Sequence, residues 1–383
     1  MQDPRPMRDI TPPIHLSSTY EVTWEEAKRL AAGDESVPFY ARHGTPTTWE
    51  VEEQLCDLCA PRESRDEYSA LVTASGMAAI STTLLALLQS GDEILSTDTI
   101  YGGTAKLMRH VLPRLGICTR FVSCTLSDAA EHITPRTRVL WVESPANPTN
   151  RLVNFDDAVV LARRHNLLCC IDATFGPPPL QQPLAHGFDL EIHAATKYLG
   201  GHSDLLAGAV VGRRHLVEPI RAMRQVLGCS LDGHAAFLLR RGLLSLPLRV
   251  RQIGATAQRL AHYLSTHQAV ARVHYPGLES HEDHAVARTQ MPGGFGGIVA
   301  FDLKESAENA VERFVSRLRL IRHAPSLGGT ETLVSYPLLS SHAGQNDEQL
   351  RAAGITSGTV RLSIGLEEAE ELQKDLEDAL REP

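Results

Sequence analysis

Between residues 49 and 245 short apolar runs alternate with stretches of helical periodicity. The runs cover 71–73, 93–96, 119–123, 139–143 and 168–172, and helix-length segments separate most neighbours. Short runs of this kind read as strands, and strands spaced by helices read as a mainly parallel sheet with crossover connections. The segments 49–59 and 78–88 carry the helical pattern. Before them, residues 1–48 are rich in Pro, Thr and charge with little periodicity, which predicts an extended arm that must lie on something else. After Arg249 the pattern changes to a helix through Gln268, a strand over 297–303, a helix over 307–317 and a strand over 360–364. The fold class is therefore α/β: an arm (1–48), a large domain with a mainly parallel sheet (49–245) and a smaller α+β C-terminal domain (246–383). Ligands in such sheets bind at the carboxyl ends of the strands. No internal repeat or low-complexity tract interrupts the chain.

Composition narrows the function classes. A chain of 383 residues, 43% hydrophobic with mixed charges, has the makeup of a globular protein of about two or three domains. A net charge of -9 supplies no basic footprint for nucleic acid or an anionic membrane. No apolar stretch approaches the roughly 18 to 20 residues that span a bilayer, and 1–6 lacks the apolar segment of an export signal. A cytoplasmic protein is expected. Seven cysteines, an odd number, argue for reduced thiols. Cys56 and Cys59 form a CxxC inside the helix at 49–59, but no second CxxC completes a zinc site; with Cys169 and Cys170 in an apolar strand, they read as core thiols.

Candidate chemistry centres on His193-Ala194-Ala195-Thr196-Lys197-Tyr198-Leu199-Gly200-Gly201-His202-Ser203-Asp204. An apolar approach ends in a lysine beside a glycine pair, so the amine emerges at the rim of a core with flexible backbone around it, as a Schiff-base lysine would. Alone, the segment reads equally as a helix end closed by glycine. Asp172 ends a strand, where it serves either a cofactor or the cap of the next helix. Ser75-Gly76-Met77 lies between a strand and a helix, where free N–H groups and the helix dipole attract an anion or where glycine merely tightens the turn. His193 and His202 bring no carboxylate or cysteine with them at metal-binding spacing, so they read as structural and no metal site is expected.

Further segments join these: Tyr40-Ala41-Arg42-His43-Gly44-Thr45-Pro46-Thr47, Ser75-Gly76-Met77-Ala78-Ala79, Tyr101-Gly102-Gly103-Thr104, Ser326-Leu327-Gly328-Gly329 and Arg361-Leu362-Ser363. In this order, with the lysine segment, they resemble the Cys/Met-metabolism enzymes that use pyridoxal 5'-phosphate, the family of cystathionine γ-synthase, the cystathionine lyases and methionine γ-lyase. The resemblance implies the type I fold of PLP-dependent transferases, aspartate aminotransferase-like. It makes Lys197 the cofactor lysine and Asp172 the partner of the pyridine nitrogen. Gly76 and Met77 would meet the phosphate, with Ser75, Thr174 and Thr196 as further cofactor contacts. Tyr101 would stack on the ring and move protons, and Asn147 would face the phenolic oxygen. Arg361 would clamp the substrate carboxylate, Ser326 would add a second contact, and Thr104 and Pro325 would stand on the substrate side. Tyr40 and Arg42 would reach the phosphate of a neighbouring subunit in a homotetramer, a dimer of dimers with shared active sites.

Several positions depart from the family pattern. Ala194 replaces a serine, Ala173 and Thr45 replace asparagines, and Pro325 stands where members handling cystathionine carry glutamate for the distal ammonium. Thr104 replaces the cysteine of methionine γ-lyases. The expected reaction is γ-elimination on a small γ-substituted L-amino acid such as methionine, homocysteine or a halogenated analogue. γ-Replacement on an O-acylhomoserine is the alternative, followed by β-elimination. A non-catalytic scaffold of the same fold is the other class, and intact Lys197, Asp172, Tyr101 and Arg361 count against it.

Overall fold

The computed structural model describes residues 9–34 and 36–381. The 1–6 stretch considered for an export signal lies outside them. Seven strands form the larger sheet: β1 (Tyr68–Thr73), β2 (Glu93–Thr97), β3 (Cys118–Val122), β4 (Thr137–Glu143), β5 (Leu168–Asp172), β6 (Leu190–His193) and β7 (Gly208–Arg213), in the order β1-β7-β6-β5-β4-β2-β3. β7 runs antiparallel to both β1 and β6, and the remaining neighbours are parallel. The five apolar runs are all strands here. β7 carries no comparable signal because it contains Gly208 and Gly212. A Cβ at Gly208 would meet the Ser75 carbonyl oxygen at 2.2 Å, and one at Gly212 the Asp189 carbonyl oxygen at 2.5 Å, so close backbone approach demands glycine where a strand favours branched residues.

Helices cover both faces of this sheet. Gly76–Leu87 and Arg214–Leu227 pack on one, over a core that includes Leu71, Trp141, Ile192 and Val210. Pro46–Cys59 and Gly233–Thr266 pack on the other, and the core beneath them continues into a second sheet through residues such as Phe301, Val334 and Val360. That sheet has five strands: β8 (Val270–His274), β9 (Ile298–Leu303), β10 (Arg322–His323), β11 (Leu333–Ser335) and β12 (Thr359–Ser363), in the order β10-β11-β12-β9-β8. The helix Gly233–Thr266 is 34 residues long, about 50 Å at 1.5 Å per residue. It starts where the Asp232 carboxylate caps the N–H groups of His234 and Ala235, earlier than the break in periodicity after Arg249 suggests. Position 245 thus falls inside one continuous helix that packs against both Pro46–Cys59 and the smaller sheet.

The arm is less extended than its composition predicts. Trp24–Ala31 is a helix, started by a capping box in which Thr23 and Glu26 exchange hydrogen bonds, and none of its residues is buried. Such a box is worth about 1 kcal/mol, and its Thr-x-x-Glu spacing was legible in the sequence. Thr45 caps Pro46–Cys59 together with Thr48. Among the described residues no helix is long and apolar enough to cross a membrane.

Candidate active site

The ends of β4, β5 and β6 open into a cavity of about 690 Å³ whose opposite wall comes from the smaller sheet. Asp172 closes β5, almost fully buried. The Thr174 backbone N–H and hydroxyl both donate to its Oδ1, at 3.1 and 2.6 Å. Burial raises its pKa above the ordinary carboxylate value, and the two Thr174 bonds and the nearby His193 oppose that rise. The Thr174 hydroxyl oxygen also accepts the N–H of Ala194 at 2.8 Å, so one side chain ties the aspartate to the start of the lysine segment.

That segment is not flexible. Lys197 N–H donates to the Ala194 carbonyl at 3.0 Å and Gly201 N–H to the Lys197 carbonyl at 2.7 Å, while Thr196 is bonded through backbone and hydroxyl to Ala207. The buried Arg249 guanidinium donates to the Tyr198 carbonyl at 2.9 Å and to the Gly242 carbonyl at 2.8 Å. The glycine pair serves this packing. Gly201 has φ +73°, and a Cβ there would overlap the Arg249 guanidinium. The long helix approaches the Gly200 carbonyl so closely that Gly242 also has no room for a side chain. The amine of Lys197 is held down to a pKa of about 8, first by burial and then by the positive Arg361. Its Nζ donates to the Ser326 hydroxyl at 2.8 Å.

Ser326 belongs to the far wall and has φ +107°, a left-handed conformation costly for a residue with a Cβ. Its carbonyl accepts one arm of Arg361 at 2.7 Å, and Asn147 Oδ1 accepts another at 2.9 Å. Arg361 lies on β12, buried, and its Nε has no hydrogen-bond partner. Burial lowers its pKa to about 10. A buried guanidinium without a carboxylate partner is costly, and its position on the cavity wall suits it to meet an anionic group. His342 beside it is kept neutral, with a pKa lowered to about 4 by burial and by Arg361.

At the other end of the cavity, Ser75 caps Gly76–Leu87 through its side chain, which accepts the N–H of Ala78. The N–H groups of Gly76 and Met77 then have no intrahelical acceptor and point outward from the positive end of the dipole. A Cβ at Gly76 would meet the Ala194 Cβ at 2.7 Å, so glycine and a small residue at 194 together keep this cradle open. Tyr101 stands at the cavity mouth, 43% exposed, and Pro325 lines the wall. Three residues lie elsewhere. Thr104 is fully buried and does not line the cavity. Tyr40 and Arg42 also lie off the cavity, Arg42 donating to the Gln225 carbonyl at 2.9 Å with its guanidinium over the Tyr40 ring.

His193 does have chemical company, contrary to the spacing argument. Its Nε2 lies 2.7 Å from Glu191 Oε1, and Cys59 joins them, with ligand atoms all within 4.8 Å of one another. Period-two alternation puts 191 and 193 on one face of β6, and the fold brings Cys59 onto it. Glu143, His323 and Tyr336 are cavity residues that the motifs did not single out. For Glu143 the position at the end of an apolar strand was the available signal.

A depressed lysine amine, a buried carboxylate at a strand end, an anion-binding helix start and an unpaired buried arginine suit a cofactor with an aldehyde, a protonable ring and a phosphate. Together with the fold they define a pyridoxal phosphate enzyme of fold type I. The family model for Cys/Met metabolism PLP-dependent enzymes matches residues 1–381, and the chain belongs to that family. It is 37% identical over 373 residues to the cystathionine beta-lyase of Lactococcus lactis subsp. cremoris (strain MG1363), covering 97% of this chain and 94% of the relative. To the L-methionine gamma-lyase of Pseudomonas putida it is 38% identical over 376 residues, covering 97% and 92%. The solved structure of a putative O-acetylhomoserine (thiol)-lyase from Campylobacter jejuni, which carries a pyridoxyl-lysine phosphate, superposes with a TM-score of 0.90 at 27% identity, covering 97% of this chain and 96% of that one. The protein is a PLP-dependent lyase of the transsulfuration family, with elimination or replacement at the β or γ carbon as its chemistry.

Proposed function

We propose that the protein eliminates the γ-substituent of a small L-amino acid without a distal ammonium, such as methionine, homocysteine or a halogenated analogue, releasing a 2-oxo acid and ammonia. One observation carries this reading. Among the described residues the only carboxylates lining the cavity, Glu143 and Asp172, sit at adjacent strand ends on the sheet side, and Pro325 stands on the far wall with neither charge nor donor. A distal ammonium would enter without a counter-charge, which is costly in a partly closed site.

The chain's own groups divide the work. Bound pyridoxal phosphate supplies the electron sink for charge developing at Cα. Arg361 holds the substrate carboxylate through the donors that Asn147 and Ser326 leave free. Lys197, whose amine is neutral above about pH 8, takes protons from Cα and Cβ. Tyr101 at the mouth protonates the leaving group. Asp172 keeps a negative charge at the sheet end. Met77 and Gly76 offer N–H groups to the phosphate.

Among the described residues Lys197 and Arg361 are the only lysine or arginine lining the cavity, and both face Ser326. A phosphate at the Gly76 helix would therefore lack a cation from its own chain. This supports Tyr40 and Arg42 of a second copy as the missing contacts, in a tetramer built as a dimer of dimers. The seven unpaired cysteines support a reducing, cytoplasmic setting. A second reading, γ-replacement on an O-acylhomoserine, is favoured by His323 on the cavity wall, a donor for an ester oxygen.

The test incubates the PLP-loaded protein with methionine, homocysteine, cystathionine, cysteine and O-acylhomoserines and measures 2-oxo acid and ammonia. 2-Oxobutyrate from methionine or homocysteine alone supports γ-elimination. Product only when a thiol accompanies an O-acylhomoserine moves the assignment to replacement, and pyruvate from cystathionine or cysteine as the sole product overturns the γ reading. For the shared site, Lys197→Ala and Arg42→Ala proteins, each inactive, are dissociated and reassembled together; recovery of activity is expected, and none would mean that the sites are not shared.

A further inference from the structure

Glu143 ends β4 directly beside Asp172 at the end of β5, the two being register partners in parallel strands. Both are almost fully buried, and neither forms an ion pair among the described residues. The Tyr101 backbone N–H donates to Glu143 Oε2 at 2.6 Å, and the Asn147 N–H approaches Oε1 at 3.4 Å. One carboxyl group thus anchors the backbone of two residues that face the cavity from different loops. The cations nearest in the site are engaged elsewhere, Lys197 with Ser326 and Arg361 with Ser326 and Asn147.

We propose that Glu143 is a positioning residue that works as a neutral carboxylic acid, its carbonyl oxygen holding the Tyr101 N–H and its hydroxyl lying on the long Asn147 side, so that Asp172 is the only negative charge on the cavity floor. Two carboxylates on neighbouring strand ends cannot both ionise cheaply when buried. The surroundings decide which one keeps the proton. Asp172 receives the N–H and the hydroxyl of Thr174 at 3.1 and 2.6 Å, both suited to an anion, and the nearby His193 also acts to lower its pKa. Glu143 receives one short bond and one long one. Burial, then the charge of Asp172, pushes its pKa well above the ordinary range, against the pull of those two N–H groups. A protonable ring nitrogen requires its partner to be ionised, and a proton resting on Glu143 lets Asp172 stay so.

The charge state of Glu143 stands independently of the roles proposed for Tyr101 and Asn147; only its effect on turnover rests on them. Two measurements separate the ideas. Infrared spectra of the wild-type apoprotein near pH 7.5 should contain the carbonyl band of a buried protonated carboxyl that Glu143→Gln lacks. In the PLP-loaded protein, Glu143→Gln should keep cofactor dissociation, turnover and the pH titration of the cofactor absorbance within about threefold of wild type, while Glu143→Ala weakens binding and turnover about tenfold or more. The proposal is overturned if the infrared band is absent. It is also overturned if Glu143→Gln is as damaging as Glu143→Ala, or if its absorbance titration moves to lower pH, because removing an anion from the floor destabilises the protonated cofactor. Should Glu143→Ala not fold, the infrared comparison and Glu143→Gln decide alone.

Discussion

Glu143, Asp172 and Lys197 enter the cavity from the ends of three adjacent strands, β4 and β5 and the loop after β6, whereas Arg361, Ser326 and Pro325 enter it from the smaller sheet on the other side. The floor holds the acids and is fixed by neighbouring backbone: Thr174 binds Asp172 and Ala194, and Arg249 pins the lysine loop. The far wall holds the unpaired cation and a residue in a strained conformation, and its partners are far away in sequence. A rigid floor suits a cofactor that stays, and an unsatisfied wall suits a substrate that comes and goes. Lys197 belongs to the floor by its backbone and to the wall by its hydrogen bond to Ser326.

The largest effect should come from breaking that link. Lys197→Ala removes the amine proposed to bond the cofactor and move protons, with kcat expected to fall about 10^3-fold or more; the visible band of the bound cofactor should vanish with it. Activity within tenfold of wild type would detach the floor from the chemistry. Asp172→Asn keeps the shape but removes the charge, and should lower kcat about 10^2-fold and weaken cofactor retention on dialysis. On the wall, Arg361→Ala should act mainly on KM, raising it about tenfold to 100-fold for every α-amino acid substrate. An equal loss in kcat with KM unchanged would mean that the arginine serves the floor instead.

This division also explains what could be read from the chain. The floor lies at the ends of apolar runs, so Asp172 and the Lys197 segment announce themselves by strand pattern and motif. β5 has the very limits that its apolar run suggests. The wall is legible only in part: β9 and β12 fall where the sequence reads as strands, but β10 has two residues and β11 three, too short for any periodicity to show. Arg361 was legible through the Arg361-Leu362-Ser363 segment inside a run that reads as a strand, whereas His323 was not legible at all. Glycine was misread in one respect. The pair at 200 and 201 looked like freedom for the lysine, whereas contact with Arg249 and Gly242 makes it a tight fit, a property of partners more than 40 residues away. The buried set of Cys59, Glu191 and His193 was hidden for the same reason.

A pH experiment sharpens the coupling of the two sides. The Lys197 amine titrates at about 8, lowered first by burial and then by Arg361. A lowered pKa means that the neutral, nucleophilic form gains on the charged form as pH rises through about 8. The rate at which the apoprotein binds pyridoxal phosphate covalently should therefore rise with a midpoint near 8. Removing the cation in Arg361→Gln relaxes the repulsion, so the midpoint should move to higher pH. A midpoint that stays put assigns the whole depression to burial, and one that falls contradicts the electrostatic link.

The smallest expected effect tests whether the Ser326 hydroxyl matters to Lys197 or only accompanies it. Ser326→Ala deletes one side-chain hydrogen bond to the amine, about 1 kcal/mol, while the Ser326 carbonyl that accepts from Arg361 is retained. The hydroxyl oxygen accepts from Nζ in this geometry, which favours the protonated amine, so its loss should lower the Lys197 midpoint slightly and speed cofactor attachment below pH 8. The conformation at 326 stays as unfavourable for alanine as for serine, since both have a Cβ at φ +107°, and stability should change by less than about 1 kcal/mol. Replacement by glycine relieves that strain and removes the hydroxyl together. If Ser326→Gly stabilises the fold while Ser326→Ala does not, and both shift the lysine equally, then the strain serves Arg361 through the carbonyl and the hydroxyl serves Lys197. If only the glycine variant raises KM, the wall depends on the backbone conformation alone, and the hydroxyl bridge to the floor is incidental.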